Sequence, residues 1–250
     1  MRVCVTGATG RMGDAVRAGA TERGWDVLPV SRTAEDARSP ADLASVLADE
    51  RPDALVDFTV PESSVEAVAA CAEAGVPAVV GTTGFDDAET EALHEASEAV
   101  PVLHAPNFAR GVATLAALVE EASETLVGYD VELTETHHRG KRDAPSGTAN
   151  RLLDAVESPR AARGDDTERV HGREGEHLRG EREVGVHVRR AGDIRGEHEV
   201  LFAGNDEVLT LTHRAESRGV FAAGALDAAA WLAGREAGWY DFSEVLHDDA

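Results

Sequence analysis

One segment of the sequence concentrates side chains that can carry protons. It runs Glu135-Thr-His-His-Arg-Gly-Lys-Arg-Asp-Ala-Pro-Ser-Gly-Thr148 and holds two adjacent imidazoles, His137 and His138, followed by Lys141. Lys141 is the only lysine among the 24 Lys and Arg side chains. An ammonium can lose its proton when its surroundings lower its pKa, whereas a guanidinium stays charged at any working pH. We therefore interpret Lys141 as a proton-handling residue; a chance surface lysine is the alternative.

The end of this segment reads as a loop that leads into a helix. Pro145 cannot lie inside a helix, Ser146 is a favourable N-cap, and an apolar run with helical spacing begins three residues later. The free N–H groups of Ser146, Gly147 and Thr148 would form an anion site at the positive end of that helix. Upstream, residues 129–136 alternate like a strand. These features suit a small carboxylate substrate that must also receive a proton.

The charge balance restricts the partners of the protein. The chain has 250 residues and a formal charge of −23, from 24 basic and 47 acidic side chains that are spread along it. This argues against nucleic acid as a partner, because phosphate contacts need clustered Lys and Arg. An acidic excess with a single lysine resembles proteins from salt-loving cells, whose dense carboxylates keep the surface hydrated.

Apolar runs and cysteines restrict the class further. The sequence has no run of about 18 apolar residues and begins with a strand-like segment, so we expect a soluble, cytoplasmic protein without a membrane partner. Cys4 and Cys71 lie in apolar segments and have no Cys or His at ligand spacing. We expect two buried thiols and no metal site.

A second chemical signal is the glycine-rich loop near the first residue. Residues 1–6 read as a strand, Gly7-Ala-Thr-Gly-Arg-Met-Gly13 follows, and an amphipathic helix continues to about Arg23. Strand, glycine loop and helix form the context that a dinucleotide fingerprint requires, with the pyrophosphate over the helix start. The alternatives are a structural turn and a P-loop, although the Gly-Lys-Ser/Thr ending of a P-loop is missing.

The end of the second predicted strand bears on the choice of cofactor. NAD enzymes place an acidic residue there for the ribose hydroxyls, but this chain has Ser31-Arg32. A guanidinium matches the 2′-phosphate of NADP in charge and geometry, so NADPH is favoured over NADH. An arginine merely exposed after the strand is the alternative.

Strands and helices alternate along the first 105 residues, which predicts α/β architecture with a doubly wound parallel sheet of Rossmann type. The loops Gly81-Thr-Thr-Gly84 and Ala105-Pro-Asn-Phe108 each follow a strand, where cofactor clefts form. The predicted strands are 1–6, 25–30, 54–59, 76–80 and 101–104, and the predicted helices are 14–23, 41–48, 63–74 and 88–99.

The second half predicts a smaller α+β domain with a mixed, mainly antiparallel sheet. Residues 157–183 are polar and read as a long exposed loop with some disorder or a short strand. An Ala-rich helix at 219–233 is expected to pack back against the first domain. We thus predict a discontinuous dinucleotide-binding domain, 1–106 with 216–250, and a substrate-binding and oligomerisation domain, 107–215. Strands 184–188, 199–202 and 208–212 are expected to form an antiparallel meander joined by strand 130–136, with helix 112–126 beside them.

Seven segments, in this order, resemble the dihydrodipicolinate reductase family, and they span nearly the whole chain. The His-His-x-x-Lys…Asp-Ala-Pro-Ser-Gly-Thr motif is highly specific, whereas the glycine loop is not. The matching segments are Gly7–Gly13, Asp57-Phe-Thr, Gly81–Phe85, Ala105–Phe108, Glu135–Thr148, Arg190–His198 and Ala215–Phe221.

The resemblance implies reduction of (4-hydroxy-tetrahydro)dipicolinate to tetrahydrodipicolinate, on the diaminopimelate route to lysine, by a homotetramer that uses NADPH or NADH. By position, His137 is the proton donor or acceptor and Lys141 the proton donor. His138 contacts the dicarboxylate, and Gly147 and Thr148 bind a carboxylate through their backbone N–H groups. Ser146 is added to the predicted substrate-binding residues from the helix-start argument above. The implied cofactor residues are Gly7, Ala8, Thr9, Gly10, Arg11, Met12, Arg32, Gly81, Thr82, Thr83, Ala105, Pro106, Asn107 and Phe108.

Two departures and three rival readings accompany this resemblance. Ser31 stands where many relatives have an acidic residue, and Thr9 where many have glycine. A short-chain dehydrogenase would need a Tyr-x-x-x-Lys pair, which Lys141 lacks. Aspartate- or homoserine-type dehydrogenases share the architecture without the paired histidines. A nucleotide sensor without catalysis would not need the intact proton-handling groups.

Overall fold

The computed structural model describes residues 1–33 and 36–247, and its strands and helices are numbered here in chain order. The strands are β1 (Arg2–Thr6), β2 (Asp26–Val30), β3 (Ala54–Asp57), β4 (Ala78–Val80), β5 (Pro101–His104), β6 (Asp130–His137), β7 (Glu168–His171), β8 (Glu183–Arg190), β9 (Glu197–Gly204), β10 (Glu207–Arg214) and β11 (Gly238–Tyr240). The helices are α1 (Arg11–Glu22), α2 (Leu43–Glu50), α3 (Pro61–Ala74), α4 (Asp87–Ser97), α5 (Arg110–Thr125), α6 (Gly147–Ala162), α7 (Gly219–Leu232) and α8 (Phe242–His247).

The chain divides into two compact units. Unit 1 joins Met1–Arg110 to Arg218–Ala250, and unit 2 is Gly111–Ser217. The second passage of the chain through unit 1 supplies α7, β11 and α8. No helix within the described ranges has the length and hydropathy needed to cross a membrane. The domain bounds and the roles predicted for the two domains stay predictions.

Unit 1 is built around six parallel strands in the order β11-β5-β4-β3-β1-β2. The inner strands are short, buried and rich in valine, which suits a parallel sheet covered on both faces. Val3 and Val5 pack with α1, α7 and α8, whereas the buried thiols of Cys4 and Cys71 pack on the other face with α2, α3 and α4. This arrangement confirms the predicted Rossmann-type fold.

The sequence predicts five of these strands and misses the sixth, β11. This strand holds three residues, Gly238–Tyr240, and pairs with β5. Gly-Trp-Tyr is too short to show the alternation that identifies a strand. Its rings are held by tertiary contacts instead, with Tyr240 5.3 Å from Trp231 and Trp239 3.9 Å from His94 between ring centroids.

Unit 2 contains a mixed sheet of five strands in the order β10-β9-β6-β8-β7. The β10/β9 and β9/β6 pairs are antiparallel, and the β6/β8 and β8/β7 pairs are parallel. The antiparallel ladders are longer in total, which agrees with the predicted mixed, mainly antiparallel sheet. Helices α5 and α6 pack on this sheet around a core that includes Leu133, Leu152 and Phe202.

The predicted meander is right for the antiparallel β9/β10 pair and wrong for β8, because β6 lies between β8 and β9. The connection between these two strands, residues 191–196, passes the end of β6. There the Ala191 N–H donates to the His137 carbonyl at 2.9 Å, and the Arg139 N–H donates to the Gly192 carbonyl at 3.1 Å. Alternation along each strand, which the sequence shows, carries no information about which strands are neighbours.

The polar segment 157–183 is also more ordered than its composition indicates. Helix α6 continues into it past Pro159, and the expected short strand is present as β7. Arg160 is buried and donates to the Tyr129 carbonyl at 2.8 Å. Packing against the rest of unit 2 therefore extends α6 beyond the point at which its apolar spacing ends.

Candidate active site

The segment that carries the paired histidines lies between β6 and α6 in unit 2. Strand β6 ends at His137 and α6 begins at Gly147, so the segment joins a strand end to a helix start, as predicted. Side chains alternate between the two faces of a strand. Leu133, Glu135 and His137 are buried positions with this spacing. A carboxylate therefore stands on the buried face of β6, next to His137.

Glu135 is fully buried and accepts hydrogen bonds on both carboxylate oxygens. Its Oε1 accepts the Ser146 N–H at 2.9 Å and an Arg190 N–H at 3.0 Å. Its Oε2 accepts a second Arg190 N–H at 3.1 Å and is hydrogen-bonded to Nδ1 of His137. Burial alone would raise the pKa of Glu135, but the hydrogen bonds from His137 and Arg190 outweigh it and lower the pKa to about 2. Glu135 is therefore ionised and acts only as an acceptor.

A second buried histidine, His198, packs against His137. The two rings meet edge to face with their centroids 5.1 Å apart, and Nε2 of His198 lies 3.2 Å from Oγ of Ser146. Nδ1 of His198 has no hydrogen-bond partner within the described part of the chain. Burial, and then the neighbouring His137, lower the pKa of His198 to about 3, so this imidazole is neutral near pH 7.

Glu135, Arg190 and His198 are missing from the predicted site residues. The signal for Glu135 and His198 is an ionisable side chain on the buried face of a strand, and Arg190 is a cation at the end of a third strand. Glu135 pairs with His198 across the β6/β9 ladder, and Arg190 ends the strand on the other side of β6. Sequence reasoning could flag each of these residues, but it could not know that β8 and β9 both border β6.

The turn after β6 carries the other two predicted proton-handling groups. The Lys141 N–H donates to the His138 carbonyl at 3.1 Å. Nζ of Lys141 lies 2.8 Å from Oδ1 of Asp143, and the lysine side chain is 22% exposed. Burial would raise the pKa of Asp143, but the hydrogen bond from Lys141 outweighs it and lowers this pKa. His137, His138 and Lys141 thus come together at one strand end and the turn that follows it.

The start of α6 matches the predicted anion site only in part. Ser146 is the N-cap, as predicted, and its Oγ accepts the Ala149 N–H at 3.1 Å. The expectation that the Ser146 N–H is free is wrong, because this group donates to Glu135, eleven residues earlier in the chain. Gly147 and Thr148 stay the proposed carboxylate donors. A Cβ at Gly147 would meet no atom of the described chain within 4 Å.

The same cluster bears on metal binding. Glu135, His137 and His198 each offer a ligand atom, and these atoms lie within 4.8 Å of one another. Both Glu135 oxygens already accept a hydrogen bond from the Arg190 guanidinium. A metal cation would therefore stand beside a fixed positive charge in a buried site, where repulsion is poorly screened. The cluster favours proton handling, and the expectation of no metal stays a prediction.

In unit 1 the glycine-rich loop joins β1 to α1, as predicted. Gly7 has a φ of +64°, and a Cβ there would lie 3.0 Å from the Phe58 carbonyl oxygen. A Cβ at Gly13 would lie only 2.1 Å from the Gly7 carbonyl oxygen, so the loop can pack against α1 only with glycine there. The N-cap of α1 is Gly10, which makes no side-chain cap. The helix start is therefore suited to an anion such as a pyrophosphate.

A cavity of about 740 Å³ opens beside this loop within unit 1. Its lining includes the predicted cofactor residues Gly7, Thr9, Gly10 and Arg32, with apolar side chains from α2 and α3. The carboxyl ends of β1, β2 and β3 border it, which is the edge of an open α/β sheet where cofactors bind. An apolar wall beside a phosphate-binding loop fits the adenosine half of a dinucleotide.

Three of the hydroxyl groups that line this cavity lie together at the end of β2. Oγ1 of Thr9 lies 2.6 Å from Oγ of Ser31 and 2.9 Å from Oγ1 of Thr33. Arg32, between the last two in sequence, is exposed. The end of β2 thus offers hydroxyls and a guanidinium where NAD enzymes place a carboxylate.

The other predicted cofactor residues lie outside the lining of this cavity. The Ala8 N–H is already used, because it donates to the Val30 carbonyl at 3.2 Å. The remaining positions cluster at a helix start or at the carboxyl ends of parallel strands, as the prediction requires. Arg11 and Met12 form the first turn of α1, Gly81, Thr82 and Thr83 follow β4, and Ala105, Pro106, Asn107 and Phe108 follow β5.

A buried carboxylate, Asp57, organises this edge of the sheet. Its Oδ1 accepts the Thr6 hydroxyl at 2.6 Å and the Thr59 hydroxyl at 2.7 Å. Its Oδ2 accepts the Thr82 hydroxyl at 2.7 Å and also the Ser64 hydroxyl. Asp57 therefore ties the ends of β1, β3 and β4 to α3. The predicted site residues do not include it, although an aspartate in a buried apolar strand is the signal that identifies it.

Known proteins resemble this chain over both units. The family described as "Dihydrodipicolinate reductase, N-terminus" matches residues 1–108, and "Dihydrodipicolinate reductase, C-terminus" matches residues 111–246. A 4-hydroxy-tetrahydrodipicolinate reductase of Natronomonas pharaonis is 59% identical over 252 residues, which cover 98% of this chain and 100% of the relative. One from Haloarcula marismortui is 51% identical over 251 residues, 98% of each chain.

A solved structure gives the same result for the fold. It is the dipicolinate-bound dihydrodipicolinate reductase of Paenisporosarcina sp. TG-14, which matches with a TM-score of 0.78 at 24% sequence identity. The match covers 96% of this chain and 97% of that one. The fold predicted from the sequence is therefore confirmed by a whole-chain neighbour.

Proposed function

The chain belongs to the dihydrodipicolinate reductase family, and from this premise we propose that it reduces (4-hydroxy-tetrahydro)dipicolinate to tetrahydrodipicolinate. It is an NAD(P)H-dependent oxidoreductase, and its reaction belongs to the diaminopimelate route to lysine. The observation that carries the proposal is the cluster at the end of β6. There, His137, His138 and Lys141 precede a helix start that is suited to a carboxylate.

NAD(P)H supplies the hydride when it is bound. Gly7, Gly10 and Gly13 let the backbone approach the pyrophosphate, and the cavity beside them has room for the adenosine. We assign the loops after β4 and β5 to the rest of the cofactor. Asp57 would fix the loop after β4 by holding the Thr82 hydroxyl.

We assign the preference for NADPH to the end of β2. Arg32 can form charge-assisted hydrogen bonds with a 2′-phosphate. The hydroxyls of Thr9, Ser31 and Thr33 can donate to the same group, and no repelling carboxylate occupies the position of Ser31.

The substrate would be held through its two carboxylates. The Gly147 and Thr148 N–H groups at the start of α6 would bind one of them, where the helix dipole favours negative charge. His138 would contact the substrate from the turn after β6. The two anionic groups of the substrate thus meet a helix start and an imidazole rather than the acidic surface that prevails elsewhere.

The protein would also supply the proton that completes the reduction. Hydride addition to a conjugated C=C–C=N system leaves negative charge that must be protonated. His137 and Lys141 are the candidate acids, and general acid catalysis typically accelerates a reaction about 10²–10⁴-fold. His137 is held by Glu135, and Lys141 is held by Asp143.

We further propose that the protein acts in the cytoplasm as a homotetramer. Support for assembly comes from unit 2, where Val188, Val208 and Leu209 are exposed on the sheet. Several exposed apolar side chains on one sheet, among them Val208 at 62% exposure, favour a surface that another subunit covers.

The decisive experiment measures NADPH and NADH oxidation by the purified protein in molar KCl. A synthase would generate the unstable substrate in place from pyruvate and aspartate semialdehyde. We expect rapid oxidation that requires the synthase, and faster oxidation of NADPH than of NADH. Arg32→Ala should remove most of this difference. Arg38→Ala is the matched control, because Arg38 lies on the same loop, pairs with Glu50 and does not line the cavity.

The opposite result would be a folded protein that binds NADPH and oxidises neither cofactor in the presence of the synthase. That result would reject the reductase and favour the nucleotide sensor. Equal rates with both cofactors, unchanged by Arg32→Ala, would leave the reductase in place and reject the assignment of Arg32.

A further inference from the structure

Glu135 makes no predicted contact with substrate or cofactor, yet it is the most heavily hydrogen-bonded side chain beside His137. Within the described chain, its partners come from three directions: β6 itself, the start of α6 and the end of β8. We propose that Glu135 is a positioning residue that fixes the tautomer of His137, so that Nδ1 always carries hydrogen and Nε2 exchanges the proton with substrate. This inference rests on the proposed function only for the identity of the substrate.

The tautomer follows from the number of donors around the carboxylate. Arg190 donates to both oxygens, and the Ser146 N–H donates to Oε1. The guanidinium compensates the charge of Glu135 and keeps the carboxylate ionised inside the protein. An ionised carboxylate can only accept hydrogen bonds. Its contact with His137 therefore requires a hydrogen on Nδ1, and the neutral ring must carry its lone pair on Nε2.

The surroundings of Nε2 agree with this assignment. Nε2 makes no hydrogen bond to any other residue of the described chain, whereas Nδ1 does. Gly196 lies beside it, and a Cβ at this position would lie 3.2 Å from Nε2. Glycine at this position therefore keeps the face of Nε2 open. The ring of His198 holds the imidazole from the side without offering it a charge.

Glu135 also links His137 to the proposed carboxylate site. The oxygen that accepts the Ser146 N–H belongs to the carboxylate that holds His137. Ser146 is the N-cap of α6 and directly precedes Gly147 and Thr148. By accepting the Ser146 N–H, Glu135 therefore fixes the position of this helix start. One side chain thus sets the position of the acid and of the helix start at the same time.

Glu135→Gln tests the proposal because it changes hydrogen-bonding character with little change in shape. If the amide oxygen faces Ser146 and Arg190 at the Oε1 position, the NH₂ group faces Nδ1 of His137. If the NH₂ group lies at the Oε1 position instead, it faces two other donors. In the first arrangement the NH₂ group opposes only one other donor, the second Arg190 N–H, so this arrangement is favoured. We therefore expect the glutamine to donate to Nδ1, and the hydrogen of the neutral His137 ring to lie on Nε2.

The spectroscopic arm uses the unaltered protein and therefore does not depend on a variant that folds. Two-dimensional ¹H–¹⁵N spectra of protein labelled in its histidine rings distinguish protonated from unprotonated ring nitrogens. The His137 signals are assigned from their absence in His137→Gln. We expect neutral His137 to be protonated on Nδ1 alone, and Glu135→Gln to reverse this pattern. A neutral ring with hydrogen on Nε2 in the unaltered protein would overturn the proposal.

The kinetic arm compares Glu135→Gln with Glu132→Gln. Glu132 lies on the same strand and also contacts a histidine and arginines, His187, Arg173 and Arg179, but it lies outside the candidate site. We expect kcat to fall at least about 10²-fold in Glu135→Gln, with a smaller change in KM, and to stay within about twofold of the unaltered protein in Glu132→Gln. Equal kcat in all three proteins would overturn the positioning role.

These results separate the inference from the proposed function. If the unaltered protein oxidises neither cofactor, the reductase assignment fails, while the tautomer of His137 can still be read. If the unaltered protein is active and Glu135→Gln is equally active, only the positioning role fails.

Discussion

Replacing Lys141 can distinguish two roles of its ammonium group, supplying a positive charge and donating a proton. Its ammonium lies 2.8 Å from Asp143, so part of its effect could come from the positive charge alone. Arginine keeps that charge but does not release a proton at any working pH. We expect Lys141→Arg to lower kcat about 10²-fold or more, measured as NADPH oxidation with substrate in excess.

The control for Lys141→Arg is the opposite exchange at the next residue, Arg142→Lys. Arg142 is exposed, so Arg142→Lys should leave kcat unchanged. Unaltered turnover in Lys141→Arg would remove Lys141 from the mechanism and leave His137 as the acid.

His198 should make the stability of the protein depend on pH. Burial lowers its pKa from 6.5 to about 3, so between these values the unfolded chain binds a proton that the folded chain does not. Stability therefore rises with pH in this window and is lost as the pH falls. Each pH unit within it is worth up to about 1.4 kcal/mol. Between pH 6.5 and pH 4.5 the unfolding free energy should fall in both proteins. We expect the fall to be smaller in His198→Gln than in the unaltered protein by roughly 2 kcal/mol.

Urea unfolding at pH 6.5, 5.5 and 4.5 in constant KCl would measure this difference. Glu135 contributes with the same sign, but mainly below its unfolded pKa of about 4.5, so it disturbs this window little. His171→Gln is the matched control, since His171 is exposed on β7. Parallel loss of stability in both variants would show that burial of His198 does not control this dependence.

Residue types alone predicted His137, His138 and Lys141 as a group, because few other functions require two imidazoles and a lone ammonium in five residues. The partners of these residues were harder to foresee. Glu135 meets Arg190 only because β8 lies beside β6, and it meets Ser146 only because α6 returns to the strand end. Contacts between distant segments decide which ionisable groups become buried together.

At the scale of single elements, the glycine loop packs closely against α1 in unit 1. A Cβ at Gly13 would meet the Gly7 carbonyl oxygen at 2.1 Å, and this atom is backbone that cannot rotate away. We expect Gly13→Ala to lower the unfolding free energy by about 1–3 kcal/mol and to weaken NADPH binding, measured by calorimetry.

Gly19→Ala is the control on the same helix. There a Cβ would lie 3.1 Å from Cδ1 of Leu226, the end of a flexible side chain, and alanine favours a helix. We expect stability within about 1 kcal/mol of the unaltered protein and unchanged NADPH binding. Equal behaviour of the two variants would contradict the close approach at Gly13.

Elements with a strong local pattern were predictable, and elements made by contact were not. Strand β1 and helix α1 follow from their own residues. Strand β11 forms by pairing with the edge of β5. The last turns of α6 are stabilised by the hydrogen bond from Arg160 to the Tyr129 carbonyl. The order of β6, β8 and β9 depends on the path of a connection, which has no periodic signature.

At the scale of the whole molecule, charge repulsion should make folding depend on salt. With 47 acidic and 24 basic side chains, repulsion between carboxylates outweighs the surface ion pairs. The screening length falls from about 10 Å at 0.1 M salt to about 3 Å at 1 M. We expect the Tm measured by calorimetry to rise steeply with KCl over this range and more slowly above it.

Equal ionic strengths of NaCl and KCl should give similar increases if screening is the cause. A Tm that does not change between 0.1 and 1 M would show that the acidic surface does not limit stability. A large difference between the two salts would indicate specific ion binding instead of screening.

The return of the chain to unit 1 sets an order of events during synthesis. Residues 111–217 leave the ribosome as a complete unit, with both helices and all five strands of their sheet. The core around β1 and α1 still lacks Leu226, Leu232, Phe242 and Val245, which are translated more than 110 residues after Phe108. At about 5–20 residues per second this delay is on the order of ten seconds. Until α7 and α8 are translated, one face of the parallel sheet of unit 1 stays exposed and apolar. A chaperone that shields this face would bind the first hundred residues.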